Sequence, residues 1–467
     1  MKYVPIECIK GKKKLSFADC ELAILRTAVD KVQSRAGKKM LHSPEVKEII
    51  EIVEKFLRTK KRICYGGTAI NNILPEDQQF YNKQIELPDY DFFSPQALKD
   101  AKDLADIYVK EGFTDVEAKS GVHPGTFKVF VNFIPIADIT SIPKDLYHVL
   151  LKKAKERNGI KYAPPDYLRM AMYLELSRPQ GDTSRWEKVL KRLILLNKVY
   201  PLRGHQCDTI EVQRMFDDPG TFKEKKLFYT VRDTLINQGV IFFGGFANRM
   251  YLKYHHFFKK KNLLRIPDFD VLSTEPKVTA TIVKEGLEEA GFKKIHIQKR
   301  KPVGEIISES YEVKYGNEIL VVIYAPLGCH SYNVIRKFNR NIRIATIDTM
   351  LSFYLAFLYA NRPYYNPQRI LCMSQFLFQV QKYNRLQQRG ILRRFSINCY
   401  GKQPTLESMR HEKAKKYKQL KNKRNSKEYE YYFLNYKPGV KKTRKKRKKR
   451  RKRRKTRRRG VANFFTL

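Results

Sequence analysis

Tryptophan occurs once in the 467 residues, at Trp186. Cysteine occurs seven times, at positions 8, 20, 64, 207, 329, 372 and 399, and no two form a Cys-x-x-Cys pair. An odd count without metal-ligand spacing argues against a structural zinc site and suits a reducing compartment. No uninterrupted apolar run reaches the ~18 residues a membrane span requires. The most apolar stretch, 349–360, has only 12 residues and follows Arg343 and Asp348. The start, Met1-Lys2-Tyr3-Val4-Pro5, lacks the apolar centre of a secretory signal. Acidic side chains are scarce beside basic ones, 47 Asp and Glu against 94 Lys and Arg, for a net charge of +47. The expectation is a non-secreted chain without a membrane segment, whose partner is a polyanion, nucleic acid first among them.

The basic residues are concentrated at one end but not confined to it. Of the 19 residues 441–459, 17 are Lys or Arg. This low-complexity run cannot bury a core, so 441–467 is expected to be a disordered basic tail. The rest of the chain keeps a strong surplus of base. A length of 467 residues asks for more than one domain. The expected division is an N-terminal helical region (1–60), a first domain with a helical extension (61–203), a second domain (204–400), a basic helical segment (401–440) and the tail.

The stretch 62–138 organises the rest. Arg62-Ile63-Cys64-Tyr65 reads as a short buried strand, Gly66-Gly67-Thr68 as a tight turn, and Ala69, Ile70, Ile73 and Leu74 as the apolar face of a helix. Glycine allows close backbone approach, and the free N–H groups at a helix start attract anions. A triphosphate suits such a turn. Downstream, Pro88-Asp89-Tyr90-Asp91 sets two carboxylates on one face of a strand. Two such charges repel by ~4 kcal/mol at an effective dielectric near 20, a cost that a hard divalent cation removes. A third acid, Asp138, sits inside the apolar run Phe133-Ile134-Pro135-Ile136-Ala137-Asp138-Ile139, where a charge is expensive without a metal or a basic partner.

Helices are expected after the start signals Ser16-Phe17-Ala18-Asp19, Ser43-Pro44 and Pro164-Pro165-Asp166 and over 96–108, with strands over 115–119 and 126–139. His123 lies in the loop 120–125 and has no partner at metal-ligand spacing. Trp186 reads as a core residue before a base-stacking platform. Its neighbours Arg185 and Lys188 have the chemistry to reach phosphates, and equally that of a solvated helix face.

A second copy follows. Val240-Ile241-Phe242-Phe243-Gly244-Gly245 echoes the first turn at an offset of 178, and Asp268-Phe269-Asp270 echoes Asp89-Tyr90-Asp91 at 179. Asp166 matches Asp348, and Arg178-Pro179 matches Arg362-Pro363, at 182 and 184. Aligning the turn at Asn132 with that at Asn317 sets Ile323 opposite Asp138, with Glu318 the nearest carboxylate. The second copy is thus expected to be an inactive scaffold, with Asp268 and Asp270 not holding a metal.

Taken together, the diglycine turn, the Asp-x-Asp pair and the third aspartate resemble the nucleotidyltransferase superfamily of the DNA polymerase β type. Adding the duplication and the block Ser177-Arg178-Pro179-Gln180-Gly181-Asp182-Thr183-Ser184-Arg185-Trp186-Glu187-Lys188, the chain resembles the catalytic poly(A) polymerases of large cytoplasmic DNA viruses, over roughly 60–390. The resemblance implies an α+β fold of two tandem modules, each a mixed sheet flanked by helices, the second degenerate. It implies template-independent addition of AMP from ATP to an RNA 3′-hydroxyl, with two Mg²⁺ or Mn²⁺ ions on Asp89, Asp91 and Asp138. Gly66, Gly67 and Thr68 would cradle the triphosphate, with Arg185 and Lys188 beside them. A viral protein of host cytoplasm or virion is implied, with a homodimer possible in principle. A uridylyl- or CCA-adding enzyme, a second-messenger synthase and a non-enzymatic RNA-binding virion protein remain open.

Overall fold

The computed structural model describes residues 8–439 except 11–12, 42, 83–85, 208–221, 256–267, 363 and 385–386. The basic tail and Pro363 of the sequence reading lie outside the described residues.

A small ribbon of β1 (Ile9–Lys10) and β2 (Lys13–Lys14) precedes α1 (Phe17–Leu41) and α2 (Pro44–Lys60). Ser16 begins α1 as its sequence indicates: its hydroxyl donates to Asp19, and the Asp19 N–H donates back to it at 3.2 Å. Pro44 occupies the first turn of α2, where its missing N–H costs nothing. Helix α2 buries Val46, Ile49, Val53, Phe56 and Leu57, the face that its 3.6-residue spacing predicts. Each buried side chain of this size contributes ~1.5–3 kcal/mol.

The first module contains β3 (Ile63–Cys64), α3 (Gly66–Ile73), β4 (Tyr90–Ser94), α4 (Ala97–Lys110), β5 (Val116–Ser120), β6 (Thr126–Val131), β7 (Ile134–Ser141), α5 (Lys144–Lys153), β8 (Lys155–Arg157), β9 (Ile160–Tyr162), α6 (Pro165–Leu176) and α7 (Trp186–Val199). The second runs through α8 (Phe222–Asn237), β10 (Ile241–Phe243), α9 (Gly244–Tyr251), β11 (Phe269–Leu272), α10 (Pro276–Glu289), β12 (Ile295–Arg300), β13 (Ser310–Tyr315), β14 (Glu318–Tyr324), β15 (His330–Lys337), β16 (Arg340–Ala345), α11 (Ile347–Phe357) and α12 (Pro367–Asn384). Then come β17 (Cys399–Tyr400), α13 (Leu406–Leu420), α14 (Lys427–Phe433) and β18 (Asn435–Tyr436).

The duplication is visible in the sheets. One has the order β18-β5-β6-β7-β4-β3-β9-β8, the other β12-β13-β14-β11-β10-β16-β15-β17. The seven shared strands correspond one to one, and each sheet gains an extra edge strand at the opposite end. Even the irregularity repeats: the β6–β7 register shifts between Val129 and Phe130, the β13–β14 register between Val313 and Lys314. The fold is α+β, two eight-stranded mixed sheets flanked by helices. Helices α6 and α11 pack against each other, so buried apolar side chains of both modules join in one core. Asp348 on α11 is buried and takes the Arg394 guanidinium at 2.8–3.0 Å.

Two features escaped the sequence pattern. Six cysteines pair, as Cys8–Cys20, Cys207–Cys372 and Cys329–Cys399, leaving Cys64 buried and free. The cysteine count and spacing, read as suiting a reducing compartment, gave no sign of these pairs. Separations of 165 and 70 residues are closed by tertiary packing, which spacing rules do not see. The C-terminal segment also returns to the first module: β18 pairs with β5, and Lys413 donates to the Gly121 carbonyl at 2.9 Å. No helix among the described residues is long and apolar enough to cross a membrane.

Candidate active site

Strands β4 and β7 run parallel and put Asp91 directly opposite Asp138. Asp89 stands just before β4, one strand repeat from Asp91. Asp89, Asp91 and Asp138 therefore come within electrostatic reach of one another, although Asp138 lies 49 positions after Asp89. Burial pushes the Asp91 carboxyl up to about 7, with the neighbouring charges of Asp89 and Asp138 adding to it. Burial and Asp138 likewise raise Asp89. Lys128, across the β6–β7 pair from Asp138, forms an ion pair with it and partly offsets the crowding.

The diglycine turn closes over this cluster. Gly66 has φ +73°, and a β-carbon there would stand 2.6 Å from Asp91 Oδ2. Both observations require glycine. The Tyr65 N–H donates to the Asp91 carbonyl at 2.9 Å, and the Thr68 hydroxyl to the Asp89 carbonyl at 2.7 Å. The Thr68 hydroxyl is thus committed as a donor to holding Asp89. Its backbone N–H, with those of Gly66 and Gly67, belongs to the first turn of α3 and has no partner within the helix. Behind the turn, Tyr65 stacks on Phe93 with centroids 4.0 Å apart and bonds Thr140 at 2.8 Å.

Of the expected cations, Arg185 is brought within electrostatic reach of Asp91 and ion-pairs with Glu175 at 3.2 Å. Lys188 is exposed on α7, and among the described residues no hydrogen bond or ion pair links it to the carboxylates. Trp186 donates from its indole to the Glu175 carbonyl at 3.1 Å and packs on Phe395 of the second module, so it is a packing residue. His123 is exposed in its loop. The sequence reading missed Arg192, whose guanidinium lies over Phe80 and Tyr81 beside Gly67. It lies one turn after Lys188 on α7 and seven positions after Arg185 at that helix's start, a spacing that would have brought it into view with them.

The second copy keeps the turn and loses the site. Gly244 repeats the left-handed backbone, φ +72°, against Asp270. Strands β11 and β14 set Asp270 opposite Val322. The counterpart of Asp138 is therefore Val322, one residue before the expected Ile323, because the β13–β14 turn begins at Gly316 rather than Asn317. Val322 is fully buried, and Asp268 and Asp270 are 2% and 9% exposed, with Tyr354 and Tyr365 within electrostatic reach of Asp270. Aromatic packing fills this copy, with Phe243 on Phe353 and Phe357 on Tyr365 at 4.8 and 4.3 Å.

Comparison with known proteins agrees with this geometry. Residues 51–182 match the model of the poly(A) polymerase catalytic subunit. The matched segment contains the diglycine turn and all three carboxylates. The chain is 32% identical over 197 residues to a putative poly(A) polymerase catalytic subunit of African swine fever virus (isolate Tick/Malawi/Lil 20-1/1983). That match covers 41% of this chain and 41% of the relative, so the similarity spans less than half of the relative's length. A protein described in the same words from Acanthamoeba polyphaga mimivirus is 34% identical over 168 residues, 34% of this chain and 27% of its own. The crystal structure of the Megavirus polyadenylate synthase superposes with a TM-score of 0.73 at 23% identity, covering 88% of this chain and 86% of that one. The two-module fold is thus shared.

Proposed function

We propose that this chain is a template-independent poly(A) polymerase, transferring AMP from ATP to the 3′-hydroxyl of single-stranded RNA. The observation that carries the reading is the pairing of Asp91 with Asp138 across two parallel strands, under a glycine turn. The family match over the same residues supports it.

As the side chains stand, no three His, Cys, Asp or Glu among the described residues form a ready metal site, and Asp138 is turned toward Lys128. The donor chemistry nevertheless fits a divalent cation. Three hard oxygen donors lie within electrostatic reach of one another, and burial, with the charges of Asp89 and Asp138 added, raises Asp91 to about 7. Asp89, Asp91 and Asp138 would hold Mg²⁺ or Mn²⁺, two ions in the full reading, once Asp138 leaves Lys128. Bound there, such ions lower the pKa of the attacking hydroxyl and offset charge on the phosphates.

The chain's own groups do the rest. The first-turn N–H groups of Gly66, Gly67 and Thr68 hold the triphosphate against the positive end of α3. Asp138, on the side of β6, faces the primer terminus. The 3′-hydroxyl oxygen attacks the α-phosphorus in line as its proton passes to the Asp138 carboxylate, the new phosphorus–oxygen bond forms, the α–β bridging bond breaks, and pyrophosphate leaves with the electron pair. Arg185 offsets charge on Asp91 and the phosphates, and Lys188 guides the polyanion from the exposed face of α7.

The test is primer extension with each of the four NTPs supplied separately, at two protein concentrations. ATP alone should give long products. Asp138→Asn should abolish extension and leave RNA binding intact. Turnover by Asp138→Asn near the wild-type rate would sink the reading. Equal use of UTP would favour a different transferase, and a rate per molecule that rises with concentration would point to self-association.

A further inference from the structure

Arg192 is 9% exposed, and among the described residues it makes no ion pair. A buried guanidinium is costly unless something satisfies its charge. Glu175 lies within electrostatic reach, but its own ion pair is with Arg185. Arg192 has instead the faces of Phe80 and Tyr81, at 4.9 and 5.5 Å from their centroids, and the Tyr81 hydroxyl, to which Nη2 donates at 2.7 Å.

The arrangement is built. Asn71, buried on α3, accepts the Phe80 and Tyr81 N–H groups on its Oδ1, both at 2.8 Å, and so holds the aromatic pair at the end of the glycine helix. Arg169 donates to Asn197 at 2.6 Å and to the Tyr200 carbonyl, which fixes α7 against α6. The result brings the Tyr81 hydroxyl and Arg192 to the turn: a β-carbon at Gly67 would meet the Tyr81 hydroxyl first, and would lie 2.9 Å from Nη1 and 3.0 Å from Nη2 of Arg192. Gly66 meets Asp91, and Gly67 meets the Tyr81 hydroxyl with Arg192 just behind it, so one dipeptide has a carboxylate on one side and an arginine fork, held by a tyrosine, on the other. Such a fork suits two phosphate oxygens.

We propose that Arg192 binds the β,γ-diphosphate of the incoming nucleotide and is the residue by which the site selects a triphosphate over a monophosphate. This rests on the nucleotidyl-transfer reading above. It adds a residue with a defined ligand group: Arg192 exchanges the Tyr81 hydroxyl for phosphate oxygens, while the aromatic pair keeps its charge dry and directed.

The test compares equilibrium binding of ATP, inorganic tripolyphosphate and AMP to the full chain and to Arg192→Gln and Arg192→Lys. Arg192→Gln should weaken ATP and tripolyphosphate by about tenfold or more and leave AMP unchanged, since one charge-assisted pair is lost. Arg192→Lys, which keeps stem and charge but not the fork, should fall between. A purely structural arginine would weaken all three ligands together, and that result, or no change in any, overturns the proposal. Should Arg192→Gln fail to fold, the lysine variant decides alone: a greater loss for tripolyphosphate than for AMP supports the proposal, an equal loss defeats it. Arginine-dependent tripolyphosphate binding in a chain that never extends RNA would sink the enzyme reading and spare this one. Normal extension with an unchanged KM for ATP in Arg192→Gln would do the reverse.

Discussion

Gly66 and Asp91 share one volume of space: the missing side chain of the first leaves room for the carboxylate of the second, whose Oδ2 lies 2.6 Å from where a β-carbon would be. Gly66→Ala should therefore act twice. The left-handed backbone costs an alanine ~1–2 kcal/mol, and Asp91 must move off the Asp138 axis. Extension should fall by about a hundredfold or more, since small misplacements at a reacting centre cost that much. The thermal midpoint should drop by only a few degrees. Retained activity would show that Asp91 does not need its present position.

The raised Asp91 carboxyl makes stability pH-dependent in the metal-free chain. Its pKa is about 7 folded and ~3.9 unfolded. Between those values the folded state binds the extra proton, so stability contributed by the neutral form is present at low pH and lost as pH rises through 7. Asp91→Asn should thus raise the thermal midpoint in EDTA at pH 8 and give little gain at pH 5. Added Mg²⁺ should stabilise the wild type at pH 8 and not this variant. A gain that grows toward low pH would contradict the electrostatic account.

Val322 stands where Asp138 stands in the first module and is fully buried. Val322→Asp should lower stability by a few kcal/mol, the scale of a buried polar group without adequate partners. Combined with Asp138→Asn, it should not restore extension, because aromatic side chains occupy the surroundings. Recovered activity in the double variant would mean that the second module is not a scaffold.

Removing 441–467 takes away 17 of the Lys and Arg residues. RNA affinity should fall, and its salt dependence should flatten by a slope of ~0.7 for each lost phosphate contact. Extension of a short primer at saturating RNA should persist. An unchanged slope in filter binding across salt concentrations would show that the tail does not touch RNA.

Much of the site was written locally. A strand, a diglycine turn and a helix are adjacent in the chain, and the Asp-x-Asp repeat places two carboxylates by the two-residue period of a strand. The duplication was legible because the landmarks recur at nearly constant offsets. The third carboxylate was found as a charge in an apolar strand, but its register against Asp91 is a matter of strand pairing. That is why counting from the turn selected Ile323, while pairing selects Val322.

What the sequence determined by itself is whatever depends on neighbours a few residues apart: the helix starts at Ser16 and Ser43, the glycine turn and the basic surplus. Only the tertiary structure decided what depends on packing between distant segments. It brought Arg192 to Gly67, joined Cys207 to Cys372, and led the C-terminal chain back to the edge of the first sheet. Such contacts are chosen by shape and by the cost of burying unpaired groups over the whole fold, and no local pattern of residues records that balance.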